Sequence, residues 1–189
     1  MAVLDRPMTA GRPSHVFDLT TPELAPRRAR AAGVAWAITR IILGWTFLWA
    51  FLDKLFGFGY GTPSERSWLN GGSPTKGFLE GSATGPFEGF YKDIAGQPWA
   101  DWLFMMGLLG IGVALLLGIG MRIAAGAGAL LYVMMWSVAL PPENNPIVDD
   151  HILGAAVLIG LALAGAGSVL GFGAWWRSTP LVRKAPWLE

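Results

Sequence analysis

The sequence predicts an all-α, polytopic membrane protein: a four-transmembrane-helix bundle with a long extracytoplasmic loop between its first two helices. Hydrophobic residues make up 53% of the chain and charged residues only 14%, with a mean hydropathy of +0.45, unlike a water-soluble domain. The apolar residues are concentrated in four stretches separated by polar, Gly-rich or Pro-rich segments. We therefore expect a lipid bilayer around most of the chain.

The composition excludes several classes of function. Cysteine is absent, so disulfide exchange, thiol catalysis and iron–sulfur ligation are excluded. His15 lies in a polar tail and His151 beside an apolar stretch, so a haem held between two histidines is not expected. The sequence has no dinucleotide-binding motif, and its net charge of +1 gives no reason to expect nucleic acid. Redox chemistry would need a diffusible carrier or a partner chain.

Residues 1–32 are predicted to form a polar cytoplasmic tail. They combine proline and arginine without apolar periodicity, and such a segment cannot build a core of its own. A signal peptide is not expected, because the short apolar stretch and the small-residue cleavage site are both missing.

The first transmembrane helix is predicted over residues 33–57, a stretch long enough to span a hydrocarbon core of ~30 Å. It contains Arg40, Asp53 and Lys54, and ionisable groups at such depth cost about 2.5–3.5 kcal/mol each unless they are paired. Arg40 is expected to extend toward lipid phosphates. Asp53 and Lys54 project about 100° apart on a helix, so we expect their partners on other helices.

The outer loop spans residues 58–98, and a loop of this length should hold structure or function of its own. A helical stripe of apolar residues follows Pro86: Phe87, Phe90, Tyr91 and Ile94. This spacing predicts a short amphipathic helix. The helix would serve either as a lid or as an interfacial anchor.

Three further spans complete a transmembrane domain over residues 33–172, and a cytoplasmic C-terminal tail follows over 173–189. The spans are predicted over 99–117, 122–140 and 150–171. The short connection between the second and third spans predicts an antiparallel hairpin. Basic residues are frequent in both tails and at Arg122 but sparse in the loops, which places both termini in the cytoplasm.

Polar residues are densest in the segment PPENNPIVDDHIL, between the third and fourth spans. In the predicted topology Asp149, Asp150 and His151 reach the same membrane level as Asp53 and Lys54. One interpretation is structural: an aspartate caps the fourth helix and Lys54 neutralises a carboxylate. The other is functional, because a histidine beside carboxylates can hydrogen-bond a quinone carbonyl and accept a proton from a quinol. These five residues are the candidate catalytic groups.

Candidate cofactor-binding residues are expected around this cluster. Trp45, Trp49 and Trp136 are candidates for the apolar walls of a quinone site. Asn145 and Arg40 are the polar candidates. Aromatic residues at helical spacing fit plain bundle packing equally well.

A metal ion is not expected at this cluster. Glu143 and the segment 149–151 could supply ligands, but three consecutive residues diverge around a helix. A second histidine is also missing from the segment, so the pattern is poor for a transition metal.

Three motifs resemble the DoxX/DoxD family of bacterial and archaeal membrane proteins: RIILGWTFLWAFLDKLFG, WLNGGSPTKGFL and SVALPPENNPIVDDHIL. The resemblance implies a membrane subunit of a thiosulfate:quinone oxidoreductase, or a membrane partner in a redox-stress complex, in the bacterial cytoplasmic membrane. It assigns no catalytic residue. The positions that match the family patterns are Arg40, Asp53, Lys54, Asn145, Asp149 and His151.

The first functional hypothesis is a quinone-linked oxidoreductase subunit that handles quinone or protons through the outer cluster. Its diffusible cofactor is a quinone, with no haem, iron–sulfur cluster or dinucleotide. The alternative is a non-catalytic accessory subunit, which docks on a larger membrane complex through its N- and C-terminal tails. Both hypotheses predict the lipid bilayer and other protein subunits as partners. A small-solute transporter is disfavoured, because four spans without an inverted repeat offer little for alternating access.

Overall fold

A computed structural model describes residues 25–189, so the predictions for residues 1–24 of the tail lie outside the described part. The chain divides into two units, Met1–Ala32 and Gly33–Glu189, and all contacts given below lie within the second unit. The described residues form α-helices and short 3-10 turns, without a β-strand among them. This confirms the all-α class. The eight α-helices of this region are α1 (Ala25–Phe56), α2 (Lys76–Ser82), α3 (Glu88–Ile94), α4 (Pro98–Leu117), α5 (Met121–Val138), α6 (Asp150–Leu163), α7 (Gly173–Ser178) and α8 (Pro180–Lys184).

Three of the described helices, α1, α4 and α5, are long and apolar enough to cross a membrane. The segment 57–97 and the segment 139–149 lie at one end of these helices, which we call the loop end. The turn 118–120 lies at the opposite, turn end. Gly118 and Gly120 both have positive φ, of 72° and 57°, and Gly118 ends α4 with N–H bonds to the carbonyls of Ala114 and Leu115.

The fourth predicted span is not one continuous helix. α6 has 14 residues and a length of about 21 Å, which is less than a hydrocarbon core of ~30 Å. Gly165 ends it with a φ of 63°, and Leu170 has a φ of 51° beyond the 3-10 turn 166–168. The predicted helix over 150–171 overlooked Gly165, which has no Cβ and adopts this conformation readily.

Small residues bring the helices close together. A Cβ on Gly112 of α4 would lie 2.7 Å from the backbone nitrogen of Leu48 on α1. A Cβ on Gly154 of α6 would lie 2.7 Å from the ring of Tyr132 on α5. Such contacts are how membrane helices pack without a hydrophobic driving force. The core between them is built from Phe47, Met105, Leu108, Ile111, Leu115, Leu158 and Leu161.

Arg40 is buried at the turn end, with 0% of its surface exposed. One terminal nitrogen donates to the carbonyls of Leu115 and Leu116, at the end of α4. The other donates to the carbonyls of Val169 and Leu170, at 3.3 and 2.8 Å. The predicted extension toward lipid phosphates is therefore wrong, because backbone carbonyls at the end of α4 and in the segment after α6 are nearer acceptors.

Candidate functional site

A histidine–aspartate pair lies at the loop end, where α6 begins. Asp149 is the N-cap: its Oδ1 accepts hydrogen bonds from the backbone N–H groups of His151 and Ile152, at 3.1 and 3.2 Å. Its other oxygen, Oδ2, lies 2.7 Å from His151 Nδ1. Aspartate is a favoured N-cap residue because its carboxylate satisfies the free N–H groups of the first turn. One carboxylate thus caps the helix and orients the imidazole.

The charge state of Asp149 follows from its hydrogen bonds. Burial acts to raise the pKa of this carboxyl, but the bonds from the His151 side chain and from the backbone N–H groups outweigh burial and lower the pKa below its usual value. The carboxylate therefore stays ionised and accepts the Nδ1 proton. The second ring nitrogen, Nε2, has no hydrogen-bond partner among residues 25–189 and is the nitrogen that can exchange a proton.

Tyr132 of α5 is a neighbour of His151. The two ring centroids lie 5.9 Å apart in an edge-to-face arrangement, and Phe47 of α1 packs on Tyr132 at 5.1 Å. Asp150 lies beside the pair, with Oδ1 3.5 Å from His151 Nδ1, but its side chain is 92% exposed. Tyr132 could not be predicted as part of this site, because it is one aromatic residue within a long apolar run.

The three polar side chains at the start of α6 converge. Ligand atoms of Asp149, Asp150 and His151 all lie within 4.8 Å of one another, so the predicted divergence is wrong. The reason is that Asp149 has an extended backbone, with φ −132° and ψ −170°, and is not part of the helix. The exposure of Asp150 and the bond between His151 and Asp149 leave no closed set of metal ligands.

Asp53 and Lys54 have partners of their own. The Asp53 carboxylate accepts the backbone N–H groups of Tyr60 and Gly61, at 3.3 and 2.9 Å, and closes the turn after α1. Lys54 Nζ lies 6.0 Å from the ring centroid of Phe104. Within residues 25–189, no hydrogen bond or ion pair joins either residue to the segment 149–151. The structure therefore shows no direct polar contact between the two halves of the predicted five-residue cluster, and Asp53 is satisfied by the turn that follows its own helix.

The remaining predicted cofactor-binding residues are also engaged elsewhere. Trp49 packs against Trp45 at 5.8 Å and against Phe58 at 5.7 Å, which forms an aromatic group at the loop end of α1. Trp136 Nε1 donates to the carbonyl of Ile147 at 3.2 Å.

Asn145 and Arg40 bind backbone groups. Asn145 Oδ1 accepts the N–H groups of Ile147 and Val148, which orders the segment that leads to Asp149. The two terminal nitrogens of Arg40 donate to four backbone carbonyls. All four terminal N–H groups are used in this way, so Arg40 presents none of them to a cofactor.

A separate cavity of about 450 Å³ lies between α4 and α5, under α2 and α3. Its lining is apolar apart from two hydroxyl groups, and both are engaged by the protein. Thr75 Oγ1 donates to Asp101 at 2.6 Å, and the Tyr91 hydroxyl is 2.5 Å from Ser137 Oγ. The length of the loop and its apolar stripe were the only signals of this cavity in the sequence, since its walls depend on long-range packing.

Comparison with known proteins identifies the chain at the family level. A sequence model described as DoxX matches residues 35–141. The chain belongs to the DoxX family. The DoxX match covers the loop, α4, α5 and most of α1, together with every residue that lines the cavity. No curated protein and no solved structure matches the chain.

The DoxX match confirms the family resemblance and, with the apolar helices, a membrane protein. Arg40, Asp53 and Lys54 lie within the matched residues, whereas Asp149 and His151 follow them. The pair at the start of α6 is therefore argued from its geometry alone.

Proposed function

We propose that this DoxX protein is an integral membrane subunit of a quinone-linked oxidoreductase, and that His151 accepts a proton from a quinol at the loop end. The observation that carries the proposal is the 2.7 Å contact between Asp149 Oδ2 and His151 Nδ1. An ionised carboxylate on Nδ1 fixes the tautomer and stabilises the imidazolium that forms when Nε2 takes up a proton. Tyr132 provides an aromatic wall beside the imidazole.

In this proposal a partner subunit accepts the electrons of the quinol. Oxidation of a quinol releases two protons and two electrons. His151 accepts the proton of one hydroxyl group, and the proton of the other passes to water at the loop end. The electrons go to a redox group on another subunit, because this chain has no cysteine and residues 25–189 contain no second histidine to hold a metal centre with His151. We place contacts with that subunit in the N- and C-terminal tails.

The proposed topology has four crossings in the bacterial cytoplasmic membrane. α6 together with the segment 164–171 forms the fourth crossing, because α6 alone is too short. The basic residues of the two tails and Arg122 favour a topology with the turn end in the cytoplasm. The pair of His151 and Asp149 then faces the extracytoplasmic side, so the protons of the quinol are released there.

Purification of the full chain in mild detergent tests the proposal. We expect bound quinone in the wild-type protein and a loss of most of it in His151→Ala and Asp149→Ala. Glu143→Gln is the matched control, because Glu143 is an exposed acidic residue of the same loop. Quinone that remains bound in both variants would show that His151 and Asp149 do not form the quinone site. A chain that carries no quinone but always copurifies with a larger complex would instead support the alternative, a non-catalytic accessory subunit.

A further inference from the structure

The cavity between α4 and α5 is formed by small residues where the two helices face each other. Gly107 of α4 and Ala127 of α5 both line it, and a Cβ on Gly107 would meet no atom within 4 Å. Phe78 of α2 and Phe90 of α3 contribute to its cover. The volume of about 450 Å³ is in the range of small-molecule sites.

The cover of this cavity, formed by α2 and α3, is held by hydrogen bonds on both sides. Asp101 of α4 is buried and accepts hydrogen bonds from the Ser73 hydroxyl and from the backbone N–H of Thr75, at 2.8 and 3.0 Å. On the other side, the Thr84 N–H donates to the carbonyl of Val138 at 2.8 Å. These contacts hold α2 and α3 over the cavity, so the cavity is a built feature of the fold.

Hydrocarbon is the only filling that suits these walls. Water needs polar partners, but the cavity is lined by no charged residue, and the Thr75 and Tyr91 hydroxyls are already bonded to Asp101 and Ser137. A void of this size would forfeit the dispersion contacts of every side chain around it. The same lack of free donors disfavours a quinone headgroup inside the cavity, because its carbonyls would be left unpaired.

The cavity opens toward the bilayer. Leu103 of α4 and Leu130 of α5 line it and are 67% and 61% exposed, and both helices are long and apolar enough to cross the membrane. Trp99, at the start of α4, is also exposed and lies where aromatic residues meet lipid headgroups. Lipid chains therefore have direct access to the cavity from the side.

A cation stands at the rim of the cavity. Lys76 follows the lining residue Thr75, and its aliphatic chain packs against Gly96, two residues before α4 begins. Its side chain is 59% exposed, and its ammonium group is only loosely paired with Glu80, at 4.0 Å. An exposed lysine at the headgroup level attracts a lipid phosphate.

From these observations we propose that the cavity is a binding site for one membrane phospholipid, with an acyl chain between α4 and α5 and the phosphate near Lys76. This site is independent of the proposed quinone chemistry. The cavity uses the face of α5 that carries Leu130 and Met134, whereas Tyr132 is turned toward His151.

Two glycines of α4 provide a matched pair of variants. Gly107→Phe fills the cavity, whereas Gly110→Phe adds the same side chain to the same helix at a position that does not line it. The full chain is reconstituted in bilayers of phosphatidylglycerol and phosphatidylethanolamine, extracted in mild detergent and weighed by native mass spectrometry. We expect a single retained phospholipid in the wild type and in Gly110→Phe. Retention in Gly107→Phe should fall by about ten-fold or more, because each methylene that loses its apolar site costs about four-fold in affinity.

A second pair of variants, on α5, provides the same test if a variant of the first pair fails to fold. Ala127→Phe fills the cavity from the opposite wall, and Gly126→Phe, at an exposed position that does not line the cavity, is its control. Equal phospholipid retention in the filled and control variants of either folded pair would overturn the proposal. In another outcome, the wild type retains a quinone or another apolar molecule that the cavity-filling variants lose. That result would overturn the choice of a phospholipid as the occupant. Equal phospholipid retention would leave quinone binding at His151 unaffected, because His151→Ala tests that binding separately. A quinone held in the cavity would also contradict the placement of the headgroup at His151.

Discussion

Asp149 performs two tasks that single-residue substitutions can separate. Its Oδ1 caps α6 through two backbone N–H groups, and its Oδ2 accepts the Nδ1 proton of His151. An asparagine at this position keeps an oxygen for the cap but loses the charge that stabilises an imidazolium. An alanine loses both functions. Loss of the cap lowers the stability of the protein, whereas loss of the charge impairs the proposed proton transfer to His151.

Asp149→Ala is expected to lower the free energy of unfolding by about 1 kcal/mol, the usual cost of an N-cap. Asp149→Asn should keep most of that stability, because asparagine caps helices about as well as aspartate. Thermal unfolding in detergent, followed by circular dichroism, measures both effects. Wild-type stability in Asp149→Ala would mean that the carboxylate does not cap α6.

The lowered pKa of Asp149 predicts a pH dependence. A carboxyl whose pKa is lower in the folded state stabilises that state above its unfolded pKa of about 3.9, and this contribution is lost as the pH falls through the lower folded value. The stability difference between wild type and Asp149→Asn should therefore shrink as the pH falls below about 4. Unfolding midpoints of the two proteins over a pH series provide the measurement. A difference that grows as the pH falls below about 4 would contradict the lowered pKa of Asp149.

At the scale of elements, Arg40 joins the end of α4 to the segment after α6. Its four hydrogen bonds go to backbone carbonyls at the end of α4 and in the chain after α6. The Arg40 side chain thus links the end of α4 to the irregular segment that follows α6. α2 and α3 are held in a comparable way by Asp101 and Thr84, through contacts that connect distant parts of the sequence.

Arg40→Met should destabilise the protein by about 3 kcal/mol or more, because it leaves three partly buried carbonyls without a donor. Arg122→Met is the control: Arg122 is 59% exposed and forms a surface ion pair with Glu189, which is worth about 0–1 kcal/mol. Unfolding midpoints in detergent compare the two variants. Equal, small effects would show that Arg40 has no such structural role.

Asp101→Ala should loosen the cover formed by α2 and α3. It removes the acceptor for Ser73 and Thr75, so the loop opens more often and its amides exchange faster. Hydrogen exchange read by mass spectrometry should show faster exchange over residues 73–97 and unchanged exchange in α6. Unchanged exchange in the loop would mean that Asp101 does not fasten it.

The extent to which the sequence predicts these elements depends on how local their causes are. α4 and α5 follow from long apolar runs. The sequence puts His151 beside two carboxylates, but its pairing with Asp149 depends on the extended backbone of Asp149. The early end of α6 depends on one glycine, Gly165, in a run that is otherwise apolar. Tyr132 and the cavity could not be predicted, because they arise from packing between residues far apart in the chain.

At the scale of the whole molecule, α5 separates two features of different chemistry. One of its faces carries Tyr132 toward the polar pair at the start of α6, and another lines the apolar cavity. The proposed quinol chemistry and the proposed phospholipid site therefore use different surfaces of one DoxX domain. The central claim is that the quinone headgroup lies at His151 and not in the cavity.

Photolabelling with a quinone that carries an azido group on its ring tests this claim most directly. The purified chain is irradiated with the probe, and the labelled peptides are mapped by mass spectrometry. We predict labelling of the peptides that contain Tyr132 and His151, abolished by excess unlabelled quinone and by His151→Ala. Competable labelling confined to α2, α3 or the cavity wall of α4, with none near His151, would contradict it.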